Sequence, residues 1–272
     1  MPKPLEYAVF EWYGYDTPYE ERFRLFRRAG FTGTMLYRGD DPSRGQWNLP
    51  AMARRAGLSV INVHAPLTGN NTIWLPGDDG DARVDLLCRC IEDNARYEIP
   101  VIVVHLTDGS TPPPPGELGI DRLRRITRRA EALGVALAIE NLRSAETLRF
   151  TLARLTSPAV GFCYDSGHEC CRTPDEDFLS EFGNRTIAVH LHDNMGPVNR
   201  DDEDDSHLLP FDGITVWQSA AEGLISSAYR GPVALEVYNR GYEHLPPEAF
   251  LKLACERAER FARMIARLSP GR

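Results

Sequence analysis

Val101-Ile102-Val103-Val104-His105, Ala136-Leu137-Ala138-Ile139-Glu140 and Gly161-Phe162-Cys163-Tyr164-Asp165 share one form: a short apolar run closed by a histidine or an acid. Runs of this length suit strands better than helices, and near-continuous apolar character marks strands buried on both faces of a parallel sheet. Five more short apolar runs occur at Tyr7 to Phe10, Gly33 to Tyr37, Ser59 to His64, Ile187 to His192 and Val233 to Val237, two of them also closed by a histidine. The charged stretches between them carry helical spacing, for example Tyr19 to Ala29 stopping at Gly30, Ile120 to Leu133 stopping at Gly134, and Pro247 to Leu268. Glycine just past the last periodic residue ends a helix because it tolerates left-handed dihedrals. Eight strand and helix alternations in a chain of 272 residues fit one closed barrel, which usually takes about 250 residues. The expected fold is α/β, a single (β/α)8 barrel in one domain over residues 1–272. Pro112 to Pro115 predicts a stiff extended loop after the fourth strand.

With 42% hydrophobic and 26% charged residues the composition is that of a soluble globular protein. The longest apolar runs, such as Val101 to Val104, fall far short of the roughly 20 residues that span a bilayer, so no membrane association is expected. Met1 to Glu6 has no basic region feeding an apolar stretch, and a cytoplasmic location is the expectation. Net charge is −8, from 39 acids against 31 bases, so the average field repels polyanions and argues against a nucleic-acid partner. Lys3 and Lys252 are the only lysines and neither lies near a strand end, which leaves Schiff-base chemistry without a candidate. The six cysteines include no Cys-x-x-Cys pair and read as reduced filler in a large core rather than as a zinc knuckle.

The metal-capable side chains fall where the strand runs end. His64, His105, Glu140 and Asp165 close the third to sixth runs, while His190 and Glu236 lie inside the seventh and eighth. In a closed parallel barrel these ends meet on one rim, where such barrels build their sites. A single histidine or acid at a strand end is most often a solvated or hydrogen-bonded turn residue. Six on one rim exceed what independent turns produce, and their imidazoles and carboxylates suit a divalent cation such as Mn, Zn, Co or Mg.

Segments around these residues carry more. Ile139-Glu140-Asn141, Tyr164-Asp165-Ser166-Gly167-His168, Val189-His190-Leu191-His192-Asp193-Asn194, Asp205-Ser206-His207-Leu208-Leu209-Pro210 and Leu235-Glu236 are all present. Through them nearly the whole chain resembles the xylose isomerase-like TIM-barrel superfamily of sugar and sugar-phosphate isomerases and epimerases, which also includes endonuclease IV-type nucleases. The resemblance implies a metal-dependent isomerase or epimerase acting on a sugar, sugar phosphate or related polyhydroxy carbonyl compound by proton transfer through a metal-stabilised enediolate. It implies one divalent cation held by Glu140, Asp165, His190 and Glu236, with the two glutamates doubling as catalytic acid and base, and His168 as a further catalytic or supporting residue. The nuclease branch implies instead a trinuclear zinc phosphodiesterase acting on abasic DNA, with His64, His105, His168, Asp205 and His207 as additional ligands. Isomerase-like members carry the His-Leu-His-Asp-Asn and Asp-x-His-Leu segments too, so the extra histidines do not separate the branches. Charge favours the isomerase: Arg200 is followed by Asp201, Asp202, Glu203, Asp204 and Asp205, whereas a rim that meets DNA carries cations. A metal- or sugar-binding protein without catalysis is the third reading.

Weaker signals surround the rim. Trp12, Tyr13 and Trp74 suit stacking on a sugar face or plain packing. Arg38, Arg143 and Arg240 follow strands two, five and eight and suit an anionic substrate group or a surface ion pair. His192 has the alternation to face the site beside His190, and His244 reads as a surface residue. The expected partner is a small carbohydrate-like molecule; monomer and homo-oligomer both stay open.

Overall fold

The computed structural model of the chain describes residues 6–39, 48–197 and 205–269. Its strands are β1 (Tyr7–Phe10), β2 (Gly33–Tyr37), β3 (Ser59–His64), β4 (Val101–Val104), β5 (Ala136–Glu140), β6 (Val160–Asp165), β7 (Thr186–His190) and β8 (Val233–Leu235). Every pairing is parallel, in the order β7-β6-β5-β4-β3-β2-β1-β8. The two ends of that order meet just beyond β7. Leu191 bridges Leu235, donating its N–H to the Ala234 carbonyl at 2.9 Å and accepting from the Glu236 N–H at 3.2 Å. The (β/α)8 barrel is therefore closed by the residues immediately beside His190 and Glu236.

Side-chain alternation sets the interior. Val103, Ala138, Cys163 and Ala188 pack together in a small cluster of their own, apart from the main core. Each lies two residues before His105, Glu140, Asp165 or His190, so all eight share one face of the sheet, the barrel interior. The intervening residues, among them Ile102, Val104, Leu137, Ile139, Phe162 and Tyr164, belong to the large core between sheet and helices. Small apolar residues thus fill the barrel and put the polar side chains one layer higher, at the C-terminal mouth.

The helices are α1 (Tyr19–Ala29), α2 (Leu49–Arg55), α3 (Asp78–Arg96), α4 (Glu117–Leu133), α5 (Ala145–Arg154), α6 (Ser166–Arg172), α7 (Phe178–Phe182), α8 (Trp217–Ser226) and α9 (Pro247–Leu268). In α9, Phe250, Leu251, Ala254, Cys255, Ala258, Phe261 and Ala262 recur at helical spacing and are the buried face. Gly30 ends α1 at φ 112°, with its N–H on the Arg27 carbonyl. Among the described residues no helix is long and apolar enough to cross a membrane. All six cysteines are free thiols.

Most element bounds match the sequence expectation, with corrections at the rim. β4, β7 and β8 stop one or two residues earlier than the apolar runs suggest. The chain there leaves the ladder for other partners: Asp193 pairs antiparallel with Leu208, and the Tyr238 N–H donates to the His207 carbonyl. α4 begins at Glu117 rather than Ile120.

Candidate metal centre

Four strands bring the predicted ligands together. Glu140 closes β5, Asp165 closes β6, His190 closes β7 and Glu236 follows β8; one ligand atom from each lies within 4.8 Å of the others. All four are buried. Two further groups meet the same criterion: His64 with Glu140 and His190, and His168 with His192, Asp205 and His207. His105 joins the first of these, its Nε2 3.3 Å from Glu140 Oε2 and 3.2 Å from His64 Nε2. Every candidate ligand named from the sequence thus lies in one continuous patch at the barrel mouth. The acidic stretch at 200–204 lies outside the described residues.

Local folding explains the placement. Asp165 caps α6, its Oδ1 accepting from the His168 N–H at 2.6 Å, and this turn returns His168 over the barrel mouth. Asn141 fixes the strand end below: its Oδ1 accepts from the Asp165 N–H at 2.7 Å and its Nδ2 donates to the Asp165 carbonyl at 2.9 Å. Asp193, fully buried, takes four N–H donors: Asn194 and Thr215 on Oδ1, Phe211 and the Trp217 indole on Oδ2. It latches the loop that carries Asp205 and His207. Asn194 adds a bond from Nδ2 to Asp205 Oδ1 at 2.9 Å.

Whether these residues fit a cation is decided by where their lone pairs point. His64 Nδ1 donates to the Ala65 carbonyl at 2.7 Å, His168 Nδ1 to the Asn141 carbonyl at 3.1 Å and His207 Nδ1 to the Glu236 carbonyl at 2.8 Å. A carbonyl can only accept, so each Nδ1 carries hydrogen and each Nε2 is turned inward, the arrangement that fixes metal-binding imidazoles. His190 Nδ1 lies 2.9 Å from Glu236 Oε2 and 3.5 Å from Glu140 Oε2, yet neither of its ring nitrogens makes an aligned hydrogen bond. Glu140 Oε1 is likewise buried without one, though His168 Nδ1 is 3.1 Å away. Groups that approach this closely without aiming at one another converge on a shared point. A donor set of carboxylates and imidazoles around that point fits a divalent cation.

The field agrees. Burial pushes the Glu236 carboxyl up, but His190 beside it outweighs that and holds it well below the usual range. Burial disfavours charge on His168 and His207, as Arg172 also does for His168. Asp165 and Asp205 nonetheless hold the His168 imidazolium up to about 10, and Asp205 holds that of His207 up to about 9. These carboxylates draw positive charge into the site. Burial lowers His105 to about 4, so its ring is neutral near pH 7 and keeps a lone pair.

One expectation at the rim is sharpened and one residue is new. His192 belongs to the group with His168, Asp205 and His207, its Nε2 3.0 Å from Asp165 Oδ1 and its ring stacked 4.0 Å from that of His207. Alternation beside His190 points it toward the site, and Gly167 leaves it room there, since a Cβ at that position would come within 1.9 Å of the His192 ring. Tyr238, stacked at 4.1 Å on His207, had no signal beyond following Glu236 by two. Tyr13 and Trp74 are buried packing residues, and the Trp74 indole donates to the Leu106 carbonyl. Arg38 is buried against Asp93 at 2.9 Å. Arg240 and His244 are exposed.

The family profile described as xylose isomerase-like TIM barrel matches residues 23–261. The chain belongs to this family. An uncharacterized protein, y4fM, of Sinorhizobium fredii is 29% identical to this barrel, over 84% of this chain and 85% of its own. Among solved structures, a xylose isomerase-like TIM barrel/4-hydroxyphenylpyruvate dioxygenase fusion protein superposes with TM-score 0.79 at 16% identity over 98% of this chain. The present chain spans 45% of that fusion. D-Psicose 3-epimerase from Clostridium cellulolyticum, solved with D-tagatose, superposes with TM-score 0.73 at 15% identity, covering 96% of this chain and 99% of its own.

Proposed function

We propose that this barrel is a metal-dependent isomerase or epimerase of a sugar, sugar phosphate or related polyhydroxy carbonyl compound. The observation that carries this reading is the convergence of Glu140, Asp165, His190 and Glu236 within 4.8 Å at one barrel mouth, two of the four being glutamates. A divalent ion held by these four would withdraw electron density from a substrate carbonyl and its neighbouring hydroxyl, and so acidify the intervening C–H. Glu140 and Glu236 rise from β5 and from beyond β8, strands that are not neighbours in the sheet. One carboxylate takes the proton from one face of the carbon and the other returns a proton on the opposite face. His168, whose Nδ1 lies 3.1 Å from Glu140 Oε1, sets that carboxylate's electrostatic surroundings. Likeness to a sugar epimerase over 96% of the chain supports the same reading.

Solvent deuterium exchange tests it. Metal-loaded protein is expected to label a ketose at the carbon beside the carbonyl, and Glu140→Gln and Glu236→Gln are each expected to slow labelling by about 10²- to 10⁴-fold. Undiminished exchange in both variants would remove the two glutamates from the chemistry.

A second reading has its own observation, the group formed by His168, His192, Asp205 and His207. Those ligands, with His64 and His105, supply enough donors for more than one ion, as a trinuclear phosphodiesterase acting on abasic DNA requires. The net charge of −8 weighs against a polyanionic substrate. Nicking of an abasic duplex by zinc-loaded protein would favour this alternative.

A further inference from the structure

A cavity of about 570 Å³ opens beside the ligand patch, walled by loops that follow β3, β4 and β5 and by the end of α6. His105 belongs both to its lining and, 3.3 Å from Glu140, to the candidate centre, so the cavity and the centre are continuous. Two arginines, Arg143 and Arg172, line it against one carboxylate, Asp108, whose Oδ2 already accepts the Asn70 N–H at 3.0 Å. The Arg172 side chain is 13% exposed; among the described residues its guanidinium makes one hydrogen bond, from Nη2 to Asp205 Oδ2, and its Nε is buried without a partner. A guanidinium carries five N–H donors, so this one retains unused capacity. Thr107, also on the wall and 4% exposed, makes no side-chain hydrogen bond among the described residues.

We propose that this cavity is an anion subsite: Arg143 and Arg172, with the Thr107 hydroxyl as an added donor, hold a phosphate or carboxylate borne by the substrate. Resting on the isomerase reading, this makes the substrate an acidic polyhydroxy carbonyl compound rather than a neutral sugar. The planar fork of arginine suits both anions, and the two share the chemistry of a bidentate, charge-assisted contact. Anchored there, the remainder of the substrate extends past His105 to Glu140.

The test measures binding rather than turnover, so it stands apart from the proposed reaction. Metal-loaded protein is titrated calorimetrically with arabinitol, arabinitol 5-phosphate and arabinonate, inert polyols that differ in end-group charge. At least one anion is expected to bind about 10- to 100-fold more tightly than arabinitol, the range for hydrogen bonds to charged groups. Whichever of the two shows the gain identifies the anion. Arg143→Gln is expected to remove most of that gain and Thr107→Val to reduce it, with arabinitol affinity and metal content unchanged in both. Equal affinity for all three ligands, or a gain that survives in both variants, overturns the subsite. A gain lost in the variants without any deuterium exchange would leave the subsite standing and defeat the isomerase reading alone.

Discussion

Asn141 carries no charge and touches no candidate ligand atom, yet it fixes Asp165 through both its amide donor and its amide acceptor, in a fully buried position. Asn141→Ala leaves a buried N–H and a buried carbonyl without partners, at about 1–3 kcal/mol each. The expected result in urea unfolding is a loss of about 2–6 kcal/mol, together with at least a tenfold weaker metal affinity, the usual effect of removing an outer hydrogen bond to a ligand. A change confined to stability would mean that Asp165 keeps its place unaided. The cysteines make a second prediction at this scale. Burial pushes Cys90 and Cys255 up to about 11 and Cys163 and Cys171 up to about 12, so at pH 8 all four remain protonated and poorly reactive. Cys88 and Cys170 are half-buried. Iodoacetamide mapping of the native protein at pH 8 is expected to label these two well before the other four.

At the scale of elements, the loop from Asp205 to Val216 matters because it brings Asp205 and His207 to a site built on strands. Its latch is Asp193, which accepts from Phe211, Thr215 and the Trp217 indole. Asp193→Ala removes an acceptor from buried donors, and a destabilisation on the order of 3 kcal/mol is expected. Hydrogen exchange should locate it, with protection lost at Phe211 and Thr215 and retained in β4 and β5. Uniform loss across the barrel would contradict a local latch. The strands themselves were legible because parallel burial makes them continuously apolar, and the acids and histidines at or near the ends of the third to eighth runs marked the rim. α6 was not: Ser166–Arg172 follows β6 without a loop, so no polar gap announced a helix. Its one signal is Asp165 as a capping residue, a role masked by the same side chain's place among the candidate ligands. The Asn141 clamp and the Asp193 latch were hidden for a related reason. Their distant partners lie 18 to 24 residues away in the chain, 24 for Asn141 with Asp165 and 18, 22 and 24 for Asp193 with Phe211, Thr215 and Trp217, and no local pattern encodes contacts of that span.

Across the whole molecule, one design recurs around the barrel. Val103, Ala138, Cys163 and Ala188 fill the interior, and the polar side chains two residues onward form the floor of the mouth. Six imidazoles and four carboxylates (His64, His105, His168, His190, His192, His207, Glu140, Asp165, Asp205 and Glu236) are gathered there, all but His105 and Asp205 of them buried. Leaving so many ionisable groups out of water is costly unless charge of the opposite sign compensates. A bound divalent cation would do so, and its removal would then lower stability by mass action. The central claim is therefore that the mouth holds a metal. The direct measurement is elemental mass spectrometry of protein purified without chelator or affinity metal, reported as ions per chain beside an Asp165→Ala variant. At least about one divalent ion per chain, markedly depleted in the variant, is predicted; protein that is folded, free of metal and unable to take up Mn, Co, Mg or Zn on dialysis would contradict it.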